Sequence, residues 1–183
     1  TGCGGTNCAT SVLNAWQDGV PVLFLSGNVR KDTCTAYLKK RGVRVRHYGL
    51  QEHDIAETVY PMTKLSQFIE SASDVRYYME SAVRIATSGR PGPVWIDIPI
   101  DVQQAKMPED ARAAPPWKYP EPDDLPETLQ LTLLLHERPI ILAGMGIRQS
   151  GMVDQFVKFV TKYQIPFVTT YGAQDYLPYD HPL

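Results

Sequence analysis

Apolar positions recur at two periods along this 183-residue chain. From Ser73 to Ala86, the residues Val75, Tyr78, Met79, Ala82, Val83, Ile85 and Ala86 return at about 3.6, which predicts an amphipathic helix with Asp74 near its N-terminus. Gly89 marks its stop, because glycine enters the left-handed conformation without a side-chain penalty. Arg90-Pro91-Gly92-Pro93 cannot continue a helix, since each proline fixes φ and lacks an N–H. Val94 to Ile98, rich in β-branched and aromatic residues, predicts a strand. The corner between them holds Arg90 where a strand begins, a place from which it can meet an anionic or planar ligand. Upstream, Val12, Leu13, Ala15 and Trp16 define an apolar helix ending at Asp18-Gly19. Val20 to Leu25 is then a continuous apolar run of the kind buried in parallel sheets. It closes on Ser26-Gly27-Asn28, beyond the carboxyl end of a strand, where open α/β sheets bind ligands. Gln51 to Glu57 predicts a short polar helix, and Pro61 to Phe68 a half-buried strand on which Lys64 faces solvent.

The texture changes after Asp101. Residues 108–126 hold six prolines among charged residues and read as a semi-rigid linker between two domains. Beyond it, Glu127 to His136 predicts a helix, Arg138 to Ala143 a strand, Met152 to Tyr163 an amphipathic helix and Ile165 to Thr170 a further strand. Strand, glycine turn, helix, strand is a βαβ unit, right-handed if parallel. Gly144-Met145-Gly146 followed by Gly151 is an incomplete dinucleotide fingerprint, and no acidic residue ends the second strand. The fold class is therefore α/β, as two three-layer units with parallel sheets.

Two local features carry candidate chemistry. Gly2 to Asn7 reads as a glycine-rich turn in which Thr6 or Asn7 caps the next helix. It forms either an anion or polar-ligand site or simply a tight turn. Between Arg30 and Tyr48 stand seven formal positive charges, on Arg30, Lys31, Lys39, Lys40, Arg41, Arg44 and Arg46. They suit a phosphate, another subunit, or a solvated loop, which is the plainer reading. His53 lies among carboxylates but has no second histidine at i+4, so no metal site is predicted.

Composition narrows the classes. A 43% hydrophobic and 21% charged chain is ordinary for a globular protein, and a net charge of −2 gives no basic footprint for nucleic acid. No apolar run approaches the roughly 20 residues of a membrane span, and no signal peptide opens the chain. Cys3, Cys8 and Cys34 are odd in number without a CxxC pair, as expected of free thiols in a reducing cytoplasm. The chain opens at Thr1, already inside a motif, and reads as an internal piece of something longer.

The motifs, taken in order, resemble those of thiamine-diphosphate enzymes of the acetolactate synthase large-subunit type. Gly2-Cys3-Gly4-Gly5-Thr6-Asn7 is similar to that family's G-P-G-x-T-N. Ala15 to Val22, Ser26 to Val29, Gln51-Glu52 and Thr63-Lys64 match next, followed by Thr87 to Pro99 (S-G-R-P-G-P-V-x-x-D-x-P). Glu137-Arg138-Pro139, the Gly144-x-Gly146 turn, Ile165 to Thr170 and Asp180-His181-Pro182-Leu183 complete the series. On this resemblance residues 1–107 are the C-terminal part of a pyrimidine-binding domain, and 127–183 the N-terminal part of a Rossmann-like central domain. Cys3 stands where the family has proline, and the stretch from Asn28 to Gln51 is longer and more basic. The central turn is followed by Tyr171-Gly172 rather than an apolar pair.

The resemblance implies roles residue by residue. Gly4 and Asn7 lie beside the aminopyrimidine of thiamine diphosphate. Gln51 and Lys64 approach the active-site cleft from a neighbouring subunit, where a lysine suits a 2-oxo acid carboxylate. In the flavin-binding members the positions of Arg90, Gly144, Gly146 and Thr170 hold FAD. The activity implied is decarboxylation of a 2-oxo acid and transfer of the resulting carbanion to a second carbonyl, in a homodimer or homotetramer, with the cofactor as electron sink. The resemblance puts the glutamate that activates the cofactor before Thr1 and the magnesium motif after Leu183, so the isolated piece is expected to be inactive. Another 2-oxo acid decarboxylase or lyase on the same scaffold, or a non-catalytic nucleotide-binding module, are the alternative readings.

Overall fold

The computed structural model describes residues 2–116, 136–178 and 180–182. They belong to two compact units, Thr1–Lys118 and Tyr119–Leu183, and the division falls inside the proline-rich stretch.

The first unit runs α1 (Gly2–Thr6), α2 (Ala9–Asp18), β1 (Leu23–Asn28), α3 (Thr35–Lys40), α4 (Ile55–Val59), β2 (Leu65–Phe68), α5 (Ala72–Thr87), β3 (Val94–Pro99) and α6 (Ile100–Gln104). Its three strands are parallel in the order β1-β3-β2, with Val94 opposite both Leu23 and Leu65. Alternation along β3 sends Val94 and Ile96 to one face, where they pack on Ala82 and Ala86 of α5. Trp95 points the other way, onto Val12 of α2 and Ile55 and Val59 of α4, and stacks on Phe24 with ring centroids 5.2 Å apart. Helices thus cover both faces, and β3 is buried on each.

Several elements differ from expectation for physical reasons. The glycine-rich start is a helical turn, not a loop. Gly2 and Gly5 are buried, and a Cβ on Gly2 would fall on the backbone of His53, while one on Gly5 would meet Ile55 Cγ1 at 2.9 Å. Neither Thr6 nor Asn7 caps α2, whose N-cap is Cys8 with no side-chain bond. The Thr6 hydroxyl instead donates to the Cys3 carbonyl. Strand β1 begins three residues later than the apolar run, because Gly19, at φ 65, ends α2 and Val20 folds back to donate to the Ala15 carbonyl. As an edge strand of the described sheet, β1 leaves Leu25 56% exposed rather than buried. The polar helix expected at Gln51 starts only at Ile55, with the Asp54 carboxylate accepting from the Glu57 N–H. Within the basic stretch, α3 replaces part of the expected loop.

Helix α5 is capped by Ser71, whose hydroxyl accepts from the Ser73 N–H, and Gly89 takes φ 55 just past its end. The beginning of the expected linker is held against this helix. Glu80 accepts from the Ala114 N–H at 2.8 Å, and Arg84 donates to the carbonyls of Ala114 and Pro115. Ala111 and Ala114 are buried, so 111–116 is a strap on the first unit; the rest of the proline-rich stretch, 117–126, lies outside the described residues.

The second unit contains β4 (Ile141–Ala143), α7 (Gly146–Gln149), α8 (Val153–Tyr163) and β5 (Phe167–Thr169), with β4 and β5 parallel. The expected helix at 127–136 lies almost wholly outside the described residues. Both strands are shorter than expected, each starting after a proline (Pro139, Pro166) that cannot donate to a ladder. Ala143, Ala173 and Tyr176 form the core with Phe156 and Phe167, whose rings meet edge to face at 5.1 Å.

Candidate functional site

At the carboxyl end of the first unit's sheet a buried carboxylate organises the chain. Asp97, at 1% exposure, accepts from Ser26 Oγ at 2.5 Å and from Asn28 Nδ2 at 2.8 Å. Ser26 also accepts from the Trp95 indole N–H, so β1 and β3 are joined through side chains as well as backbone. The second proton of Asn28 Nδ2 goes to the His53 carbonyl at 3.1 Å, which anchors the segment just after Gln51. Burial pushes the Asp97 carboxyl above its usual range, against the pull of Ser26 and Asn28, and nearby Asp54 pushes it the same way. No buried side-chain polar atom among the described residues lacks a partner.

This network brings together three of the predicted positions. Helix α1 rests on His53 and Ile55 through Gly2 and Gly5, which leaves Gly4 and Asn7 on its exposed side. Gly4 has no heavy atom within 4 Å of where a Cβ would stand, an open surface that a planar ring could approach. Gln51, two residues before His53, is exposed and sits at φ 55, a left-handed conformation that costs a non-glycine residue free energy. Its neighbour Glu52 is buried and accepts from the Thr35 N–H and hydroxyl, fixing the loop from below.

Lys64 and Arg90 lie at the opposite, amino end of the strands. Lys64 precedes β2 and is half-buried rather than solvent-facing. Its stem crosses Gly92, where a Cβ would stand 3.0 Å from Cδ, and Nζ donates at 2.5 Å to the carbonyls of Ile85 and Ser88. It therefore closes the C-terminus of α5, where helix carbonyls lack intrahelical partners. Burial lowers its pKa. Arg90 is exposed, and its Nη2 donates to the Gln17 carbonyl at 3.0 Å near the end of α2. The first unit thus separates Gly4, Asn7 and Gln51 from Lys64 and Arg90 by the length of its sheet.

In the second unit Gly144 and Thr170 meet at the carboxyl ends of β4 and β5. A Cβ on Gly144 would contact Thr170 Oγ1 at 3.6 Å, and the Thr170 N–H donates to the Ala143 carbonyl. Tyr176 donates to the Gly144 carbonyl at 2.9 Å, and Gly146 opens α7 with free space around it. Gly144 and Thr170 thus stand side by side, with Gly146 two residues further along the chain.

The sequence reading missed Asp97, Ser26 and Asn28 as a unit. The available signal was an acid within an otherwise apolar strand, which must find donors if it is buried. Cys34 is buried too, and desolvation pushes its thiol up to about 12, leaving it unreactive. Among the described residues no group of three His, Cys, Asp or Glu could hold a metal ion, and no helix is long and apolar enough to cross a membrane. The open surface at Gly4 has room for a planar ring such as an aminopyrimidine, while no group of His, Cys, Asp or Glu among the described residues offers a magnesium ion a ligand set.

Residues 128–183 match the model of the thiamine pyrophosphate enzyme central domain. The whole chain is 35% identical to the acetolactate synthase large subunit of Lactococcus lactis, covering 31% of that protein. It is 26% identical over its full length to a glyoxylate carboligase of Escherichia coli, 30% of which it covers. An oxalyl-CoA decarboxylase of Escherichia coli is 29% identical over 98% of the chain, which spans 32% of that relative. The chain thus spans about a third of the length of these relatives.

Proposed function

We propose, from the membership of this chain in the thiamine pyrophosphate enzyme family, that it is part of a thiamine-diphosphate-dependent carboligase that decarboxylates a 2-oxo acid and joins the remaining fragment to a second carbonyl compound. The observation that carries this reading is the 35% identity to an acetolactate synthase large subunit along the entire chain. When bound, thiamine diphosphate supplies the electron sink for cleavage of the carboxylate bond. The chain's own contribution is positioning. Asp97 holds Asn28, Asn28 holds the His53 carbonyl, and α1 rests on that segment so that Gly4, Asn7 and Gln51 share one end of the sheet. Gly4 would let the cofactor ring approach the backbone, and Asn7 and Gln51 would offer it amide donors and acceptors. Magnesium would be held by residues beyond those described.

Lys64 and Arg90 are proposed for a face met by another subunit or a flavin, since both stand at the sheet's other end. For Lys64 this requires Nζ to leave the α5 carbonyls. Gly144, Gly146 and Thr170 are proposed to supply a close backbone approach for a flavin. The test is product analysis with the full chain in its complete protein context, thiamine diphosphate, magnesium and pyruvate. Acetolactate as the main product supports the reading. Carbon dioxide and free aldehyde without carbon–carbon bond formation would move the assignment to a decarboxylase, a reading favoured by the similarity to oxalyl-CoA decarboxylase. The isolated 183 residues are expected to show no turnover.

A further inference from the structure

Seven basic side chains occupy residues 30–46, and the structure accounts for five of them. Arg30 pairs with Asp32, Lys39 with Glu57, and Lys40 and Arg41 with Glu70, while Lys31 Nζ donates to the Glu70 carbonyl at 3.0 Å. Arg41 also stacks on Tyr37 at 3.4 Å. Of the seven, only Arg44 and Arg46 have neither an ion pair nor a side-chain hydrogen bond among the described residues, and both line a groove of about 630 Å³ between the 43–46 segment and α4. Thr35, Thr58 and His53 also line it, with Thr35 donating to Glu52 and Thr58 bonded to His53 and the Asp54 carbonyl, and Val43 and Val45 add apolar wall. The two acids on the wall are already engaged: Asp54 caps α4, and Glu57 pairs with Lys39.

We propose that this groove binds a ligand carrying a diphosphate group, with Arg44 and Arg46 as its two anchors. Each guanidinium presents a planar fork of donors that matches phosphoryl oxygens, and two such forks suit two adjacent phosphoryl groups. The groove's volume falls within the range of small-molecule sites. The wall formed by Val43 and Val45 gives the body of a nucleoside diphosphate an apolar surface, whereas free pyrophosphate would use only the arginines. The inference does not depend on the carboligase reading.

Isothermal titration of the full chain with inorganic pyrophosphate and, separately, with adenosine diphosphate tests it. Both titrations use about 150 mM salt, which screens diffuse attraction, and no thiamine diphosphate, whose own diphosphate would compete for the groove. The expected result is 1:1 binding that weakens at least about tenfold in R44A/R46A, the loss of two charge-assisted contacts. R44K/R46K, which keeps the charge but not the fork, should fall between, and its melting transition should match the parent. Tighter binding of adenosine diphosphate identifies a nucleotide ligand; equal affinity identifies the diphosphate alone. Absence of saturable binding by the parent overturns the proposal, as does unchanged affinity in R44A/R46A. An equal loss in R112A, whose guanidinium lies over Tyr77 away from the groove, overturns it too.

Discussion

Replacing Asp97 tests the network that joins β1, β3 and the His53 segment. Asp97→Ala removes the acceptor of two buried donors, Ser26 Oγ and Asn28 Nδ2. Each orphaned donor costs about 1–3 kcal/mol, and relief of the buried charge returns part of that, so the expected net loss is about 3–4 kcal/mol. Asp97→Asn keeps the shape and one acceptor. Ser26 already accepts from Trp95 Nε1, and it can turn to accept from the new amide as well, which leaves Asn28 its acceptor. The expected loss is about 1–2 kcal/mol. Trp16 and Trp95 belong to the first unit, so urea unfolding followed by tryptophan fluorescence reads that unit.

The same pair gives a pH signature. Because the folded Asp97 carboxyl titrates above its ordinary 3.8, the unfolded chain loses its proton first as pH rises. Wild type therefore loses stability from this group between the ordinary pKa and the raised one. Asp97→Asn lacks that loss, so its deficit relative to wild type should shrink as pH rises from about 4. Equal losses in the two variants, or a deficit that grows with pH, would refute the reasoning.

Other positions give sharper single outcomes. Lys64→Met should cost about 1–2 kcal/mol, because Nζ closes the carbonyls of Ile85 in α5 and of Ser88 just past it from a half-buried position. Its depressed folded pKa makes the wild type gain stability as pH rises toward the ordinary lysine value, and the variant's urea midpoints should lack that gain. Gly2→Ala should shift the unfolding midpoint, since the added carbon falls on the His53 backbone. Gly4→Ala, with empty space around it, should leave stability unchanged or slightly higher and weaken thiamine diphosphate binding in the complete protein. Arg84→Ala should free the strap at 111–116, read as faster proteolysis between Pro108 and Pro116 with the core of the unit intact.

Helix α5 and the corner after it were legible because they rest on local rules: a period of 3.6, a glycine in the left-handed region and prolines that forbid continuation. The strand at Val94 followed from composition, and its central place explains why its run is unbroken by polar residues apart from Asp97. Positions decided by tertiary contact were misread. Leu25 looked buried from its apolar neighbours, yet its exposure depends on where the sheet ends. Lys64 looked solvated because a lysine's partners here are carbonyls more than twenty residues away. Gly2 and Gly5 read as a turn because glycine is permissive, whereas the structure uses their missing side chains to dock a helix. In the site, Gly4, Asn7 and Gln51 came from motif likeness alone, and Asp97 went unremarked as an organiser because its donors lie about seventy residues back.

The strand order has a consequence for how the polypeptide is made. Strands β1 and β2 never pair with each other; each pairs only with β3, the last of the three to be synthesised. A nascent chain leaving the ribosome therefore holds no ladder of this sheet until residues 94–99 emerge. Until then the apolar Leu23 to Leu25 stretch has no edge to join and is exposed to association with other chains. A stall before residues 94–99 have emerged would leave two unpaired strands waiting, and one after their emergence would let the layer close. The interval between the emergence of Phe68 and that of Pro99 thus sets how long both β1 and β2 stand without a partner.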